Sequence, residues 1–124
     1  MDTRSKILSP ADAASLPGPL AVATGYFDVL RAAHIRELAE LRRRTSPAKL
    51  LAVVLPAPGE YLPQRARGEM VAALRVIDYV VIADDAAAGR LADFLKPVEI
   101  VRLEAADSRR ARELKEHVHR RQIR

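Results

Sequence analysis

The chain has 124 residues with no cysteine, 49% hydrophobic and 30% charged residues, and a formal net charge of +5. A chain of this size suits one domain that buries roughly two-thirds of its unfolded surface, and the composition is that of an ordered globular protein. Disulfides and thiolate metal sites are excluded; the lack of a signal-peptide pattern or an apolar run long enough to span a bilayer makes a cytoplasmic protein without membrane attachment the expectation.

Residues 1–19 read as an N-terminal arm with one short helix. Ser9 can cap it, Pro10 suits its first position and Asp12 its first turn, so a helix over about residues 10–16 is expected before Pro-Gly-Pro stops it. "LAVAT", closed by Gly25, is a buried strand in pattern. A helix over about residues 34–44 follows. Its apolar face is Ile35, Leu38, Ala39 and Leu41, and Arg42, Arg43 and Arg44 suit the negative end of its dipole.

"KLLAVVLP" is apolar at every position from Leu50 to Leu55, as parallel strands covered on both faces are. "PAPGEYLP" is a loop. "QRARGEMVAALRVI" has a helical pattern, with Ala66, Met70, Ala73 or Leu74, and Ile77 on one side. "DYVVIA" is a third strand, "DDAAAGRLADFL" a helix opened by Asp84 or Asp85, and "VEIVRL" a fourth strand. Residues 107–124 carry seven Lys/Arg against three Asp/Glu, so most of the net charge lies there. Ala111, Leu114 and Val118 at helical spacing, with Asp107 or Ser108 as cap, make this segment a basic C-terminal helix.

Strands alternating with helices through short connections imply a three-layer, Rossmann-like α/β sheet, mainly parallel, with helices on both faces. The pattern leaves the strand order open. In such folds ligands bind beyond the carboxyl ends of the strands, where the strand order reverses. Gly25 would allow a sharp turn there, and the helix that follows offers unpaired N–H groups to an anion. Arg31 and His34, three residues apart, would share one side of its first turn and hold a phosphate chain. A plain turn glycine and a solvated arginine account for the same residues.

A resemblance adds to this reading. "KILSPADAASL…GYFDVLRAAHIREL" resembles the start of a cytidylyltransferase-like nucleotidyltransferase, most of all the adenylyltransferase domain of bacterial ADP-heptose synthase. That family carries Gly-x-Phe-Asp-x-Leu-His-x-Gly-His, and Gly25, Phe27, Asp28, Leu30 and His34 match it. "RGEMVAALRVIDYVVIADD" and "LKPVEIVRL" are similar to later family segments. The resemblance implies attack of a sugar- or polyol-phosphate on the α-phosphate of CTP or ATP, with Mg²⁺. It makes His34 and Arg31 catalytic candidates, and places Thr24, Gly25, Tyr26, Phe27, Asp28, Arg67 and Arg102 near the nucleotide.

The departures fall on the reacting parts. Arg31 replaces the first histidine, and Ala33 the glycine that leaves room for the nucleotide. The loop after the second strand lacks the family lysine, and the final Lys-Gly is Arg102-Leu103. Losing one transition-state donor typically costs about 10²–10³ in rate. A degenerate member, with residual nucleotide or phosphate binding or a regulatory or homodimeric role, is therefore the leading expectation. An active enzyme with a remodelled site is the alternative.

A third reading is an anionic partner on the basic C-terminal helix. Its Arg109, Arg110, Arg112, Lys115, Arg120 and Arg121 are spread around the helix without interleaved aromatics, which speaks against nucleic acid. No metal ligand set is expected. Asp84 and Asp85 serve more simply as helix caps and Tyr26 as a ring buried under the loop, while for Arg67 a place near the nucleotide and a surface pair with an acidic neighbour are equally open.

Overall fold

The computed structural model describes residues 2–104. A 3₁₀ turn at Thr3–Lys6 leads into β1 (Ile7–Leu8), α1 (Pro10–Ala14), β2 (Leu20–Gly25) and α2 (Ala32–Thr45). There follow β3 (Lys49–Val54), α3 (Gln64–Ala72), β4 (Tyr79–Ile82), α4 (Asp85–Leu95) and β5 (Glu99–Arg102). The strands form one sheet in the order β1-β4-β3-β2-β5, and every pairing is parallel. The expected Rossmann-like sheet is present, parallel throughout.

Alternation along β2 divides the core into two layers. Ala21 and Ala23 pack with Leu38 and Leu41 of α2 and with Val71 and Ala72 of α3. Val22, one residue out of phase, packs with Ala13 of α1 and with Ala88 and Leu91 of α4. The helices thus sandwich the sheet, which is why β2 and β3 show no polar alternation. From β2 the chain steps through β3 to β4 on one side. It then returns through α4 to β5 on the other. The order reverses between β2 and β5, which places the crevice at their carboxyl ends.

Local signals explain most of the boundaries. Ser9 accepts from the Asp12 N–H over 3.1 Å and Pro10 opens α1, although the helix ends at Ala14 and not at residue 16. Asp84 accepts from the Ala87 N–H over 2.7 Å, which makes it the cap of α4. Strand β1 was not foreseen. It is a two-residue edge beside Val80 and Val81, too short to show a period.

Two helical faces differ from the expected ones. In α2 the buried residues are His34, Leu38 and Leu41, and Ile35 is 43% exposed. The inward face is rotated because a histidine takes an inner position that apolar counting does not recognise. In α3 the buried residues are Arg67, Gly68, Val71 and Ala72, whereas Met70 is exposed. That helix also stops at Ala72, and Ile77 is buried from the following turn. Here a fully buried arginine sets the face. The basic C-terminal helix expected over residues 107–124 lies outside the described residues.

Gly68 is fixed by close packing: a Cβ there would lie 2.6 Å from Ile82 Cδ1 and 2.8 Å from Ile82 Cγ1. Gly68→Ala gains helix propensity but overpacks this contact, and a net loss of about 1–2 kcal/mol is expected. In an Ile82→Ala background the same substitution should lose far less, a coupling that urea denaturation of the double-mutant cycle will show. On the outer edge, Arg44 of α2 pairs with Glu99 of β5 and, through hydrogen bonding, holds the Glu99 carboxyl below its usual range.

Candidate functional site

The strand heads where the order reverses, the place such folds use for a ligand crevice, are the ends of β2 and β5. Thr24 lies opposite Arg102 in the parallel register, and the Leu103 N–H donates to the Thr24 carbonyl over 2.8 Å. The chain leaving β5 stays beside the end of β2 through Glu104. The hydroxyl of Thr24, which is 3% exposed, donates to the carboxylate of Glu104. Arg102 is exposed at the rim, and Leu103 is buried in the core. A leucine stands where the resemblance called for glycine, and it fills the space beneath the crevice.

The turn from β2 into α2 is shaped differently from the expectation. Gly25 remains a strand residue paired with Val54, and its carbonyl accepts from the Leu55 N–H over 2.9 Å. The left-handed residue is Phe27, with φ 52°. That conformation costs a side chain roughly 1–2 kcal/mol, offset here by complete burial of the ring. The Phe27 ring lies 6.2 Å from the His34 ring, tilted at 51°.

Arg31 is the N-cap of α2 and His34 its third helical residue. The two side chains do not share one surface. His34 is 2% exposed, and its Nδ1 accepts from the Arg31 backbone N–H over 3.1 Å. An Nδ1 that accepts keeps the ring proton on Nε2. The imidazole therefore serves the helix start, satisfying one of its orphan donors. Arg31 is half-buried and Ala33 sits beside it in the first turn.

Three side chains fasten the loop between β3 and α3. Asp28 accepts from the Tyr61 N–H over 2.8 Å and from the Leu62 N–H over 3.1 Å. Gln64 donates to the carbonyls of Val54 and Ala83, each over 3.0 Å, at the ends of β3 and β4. Arg67 is completely buried. Its Nη1 donates to Tyr26 O at 2.6 Å and Leu55 O at 2.8 Å, and its Nε to Leu62 O at 3.1 Å. Its Nη2 donates to Glu60 Oε2 at 2.6 Å.

The expected surface pair of Arg67 is thus an internal one, because only burial brings the guanidinium within reach of three carbonyls. Tyr26 is half-buried against the apolar cluster around Val22 and Leu51. Asp28 and Glu104 are the acidic groups at the strand heads, one engaged by loop amides and the other by the Thr24 hydroxyl. Among the described residues no three His, Cys, Asp or Glu cluster to hold a metal ion.

No family model matches the chain, and no curated protein does. A solved structure does match: the lipopolysaccharide core biosynthesis protein from Thermoplasma volcanium GSS1, with a TM-score of 0.58. The likeness is one of fold. It carries 24% sequence identity over 67% of this chain and 73% of that one. Among the described residues no helix is long and apolar enough to cross a membrane.

Around the heads of β2 and β5 the fold gathers Thr24, Gly25, Arg31, His34 and Arg102, while Asp28 and Arg67 belong to the neighbouring loop anchor. Sequence reasoning missed Glu104, Glu60 and Gln64. Glu104 follows the last strand with no motif around it. Glu60 and Arg67 lie seven residues apart across a loop boundary, a spacing with no periodic meaning. The family-like arginine with an acid in the preceding loop was the one available signal.

Proposed function

We propose that this chain is a nucleotidyltransferase-fold protein of the cytidylyltransferase-like kind, with a degenerate site that performs little or no nucleotidyl transfer. Its role is then residual binding of a nucleotide or phosphate, or regulation and dimerisation. The observation that carries this reading is that the polar groups at the strand heads already serve the fold. His34 caps α2, Asp28 and Arg67 hold a loop, and Thr24 is bonded to Glu104. The shared fold with a lipopolysaccharide core biosynthesis protein supports the framework, not the chemistry.

A remodelled active enzyme is the second reading, favoured by Arg31 and Arg102. Arg102 ends β5 and Arg31 opens α2, the helix after β2, and both bring cations suited to phosphate. In that case Mg²⁺ would arrive with CTP or ATP and be held chiefly by its phosphates. Titration with CTP and ATP, with and without Mg²⁺, is expected to give weak binding. A pyrophosphate-release screen over sugar and polyol phosphates is expected to stay at background. Metal-dependent turnover lost in both Arg31→Ala and Arg102→Ala would establish the second reading instead.

A further inference from the structure

We propose that Glu104 is a built-in plug that competes with a phosphate-bearing ligand for the crevice between β2 and β5. The proposal rests on the nucleotide-site reading above and adds a regulatory element to it. Leu103 ties the end of β5 to Thr24 through the backbone, and Glu104, the next residue, accepts from the Thr24 hydroxyl. The hydroxyl is nearly inaccessible to solvent, so its donor can serve one acceptor at a time. An anion entering at this level must displace the carboxylate or pass beside it.

The electrostatics act in the same direction. Arg102 ends β5 two residues before Glu104 and the positive end of α2 follows β2, so the Glu104 carboxylate at the head of β2 offsets part of their positive field. A phosphate brought within a few ångströms of Glu104 meets like charge in a partly desolvated place. The carboxylate also occupies Thr24, leaving an incoming phosphate without that donor. Withdrawal of the Glu104 side chain would free the hydroxyl and remove the like charge together. In this scheme the closed contact is the resting state, and ligand affinity reports how often it opens.

The test uses the full chain and three probes: CTP, ATP and inorganic phosphate, each titrated calorimetrically at low ionic strength. Glu104→Ala removes both acceptor and charge and is expected to bind at least one probe about tenfold more tightly than the unaltered chain. Glu104→Gln keeps an acceptor for Thr24 but removes the charge, so an intermediate gain is expected. Thr24→Val added to Glu104→Ala should lose part of that gain. Far-UV circular dichroism with a urea midpoint confirms that each variant is folded, and Glu104→Gln carries the test if Glu104→Ala is not.

Equal or weaker binding of all three probes in folded Glu104 variants overturns the plug. If the unaltered chain binds nucleotide with unchanged affinity in the variants, the plug fails and the nucleotide-site reading stands. If the variants gain affinity for inorganic phosphate alone, the plug holds and the nucleotide assignment is the part that fails.

Discussion

Arg67→Ala is expected to lower stability by about 3–5 kcal/mol, the usual cost of removing one partner from a buried charged network. A domain of this size has about 5–15 kcal/mol in total, so the variant should sit near the edge of folding. The size follows from what is left behind. The carbonyls of Tyr26, Leu55 and Leu62 lose their donor, the Glu60 carboxylate loses its counter-charge, and a cavity as long as the side chain opens under the loop. Each buried polar group without a partner is costly in its own right.

Arg67→Lys should recover little, since one ammonium cannot meet four acceptors in the plane of a guanidinium. Glu60→Gln should cost far less, about 1 kcal/mol, because that carboxylate is 40% exposed and an amide can still accept the bond. Urea midpoints for the three variants give the comparison. A small effect of Arg67→Ala would mean that the loop is held by other contacts. Comparable losses in all three would mean that the charge pair alone matters, not the carbonyl network.

How much of this was legible beforehand depended on the type of residue. Leu50 to Val54 announced a strand buried on both faces because all of them are apolar and all are inside. The caps Ser9 and Asp84 were legible because their chemistry is local, acting within three residues. The parallel sheet followed from the alternation of elements. What failed were the places where a polar side chain takes an interior position. His34 rotates the buried face of α2, and Arg67 does the same to α3. Both look like surface residues until their partners are in place, the Arg31 N–H and Phe27 ring for His34 and carbonyls as distant as that of Tyr26 for Arg67.

The same distinction separates scaffold from site. Gly25 and Phe27 match the family spacing, yet the left-handed turn falls on Phe27 while Gly25 stays in the sheet. Arg31 and His34 are close in sequence and in contact, yet the imidazole turns back to the Arg31 N–H and is buried instead of lying on the surface. Asp28 reached a loop 33 residues away, which no local pattern encodes. Motif matching drew attention to residues that the fold sets at and just beyond the carboxyl end of β2. It did not reveal which groups there were already engaged.

His34→Ala should cost about 2–4 kcal/mol, combining a lost helix-start bond with a cavity beside Phe27. The imidazole is nearly inaccessible, lies against a buried aromatic ring, and accepts the N–H of the helix cap. His34→Gln makes the cause separable. A glutamine at the third helical position can reach back to the same N–H, as it does in a capping box, but cannot replace the packed ring. It should therefore recover about 1 kcal/mol of the loss, the usual worth of a cap bond. A side chain whose task is confined to a ligand predicts three chains of equal stability that differ in nucleotide affinity. A side chain that builds the turn predicts a graded order of urea midpoints, histidine above glutamine above alanine, with no nucleotide present. The graded order is the expected result, and it would place the histidine in the architecture of the crevice wall.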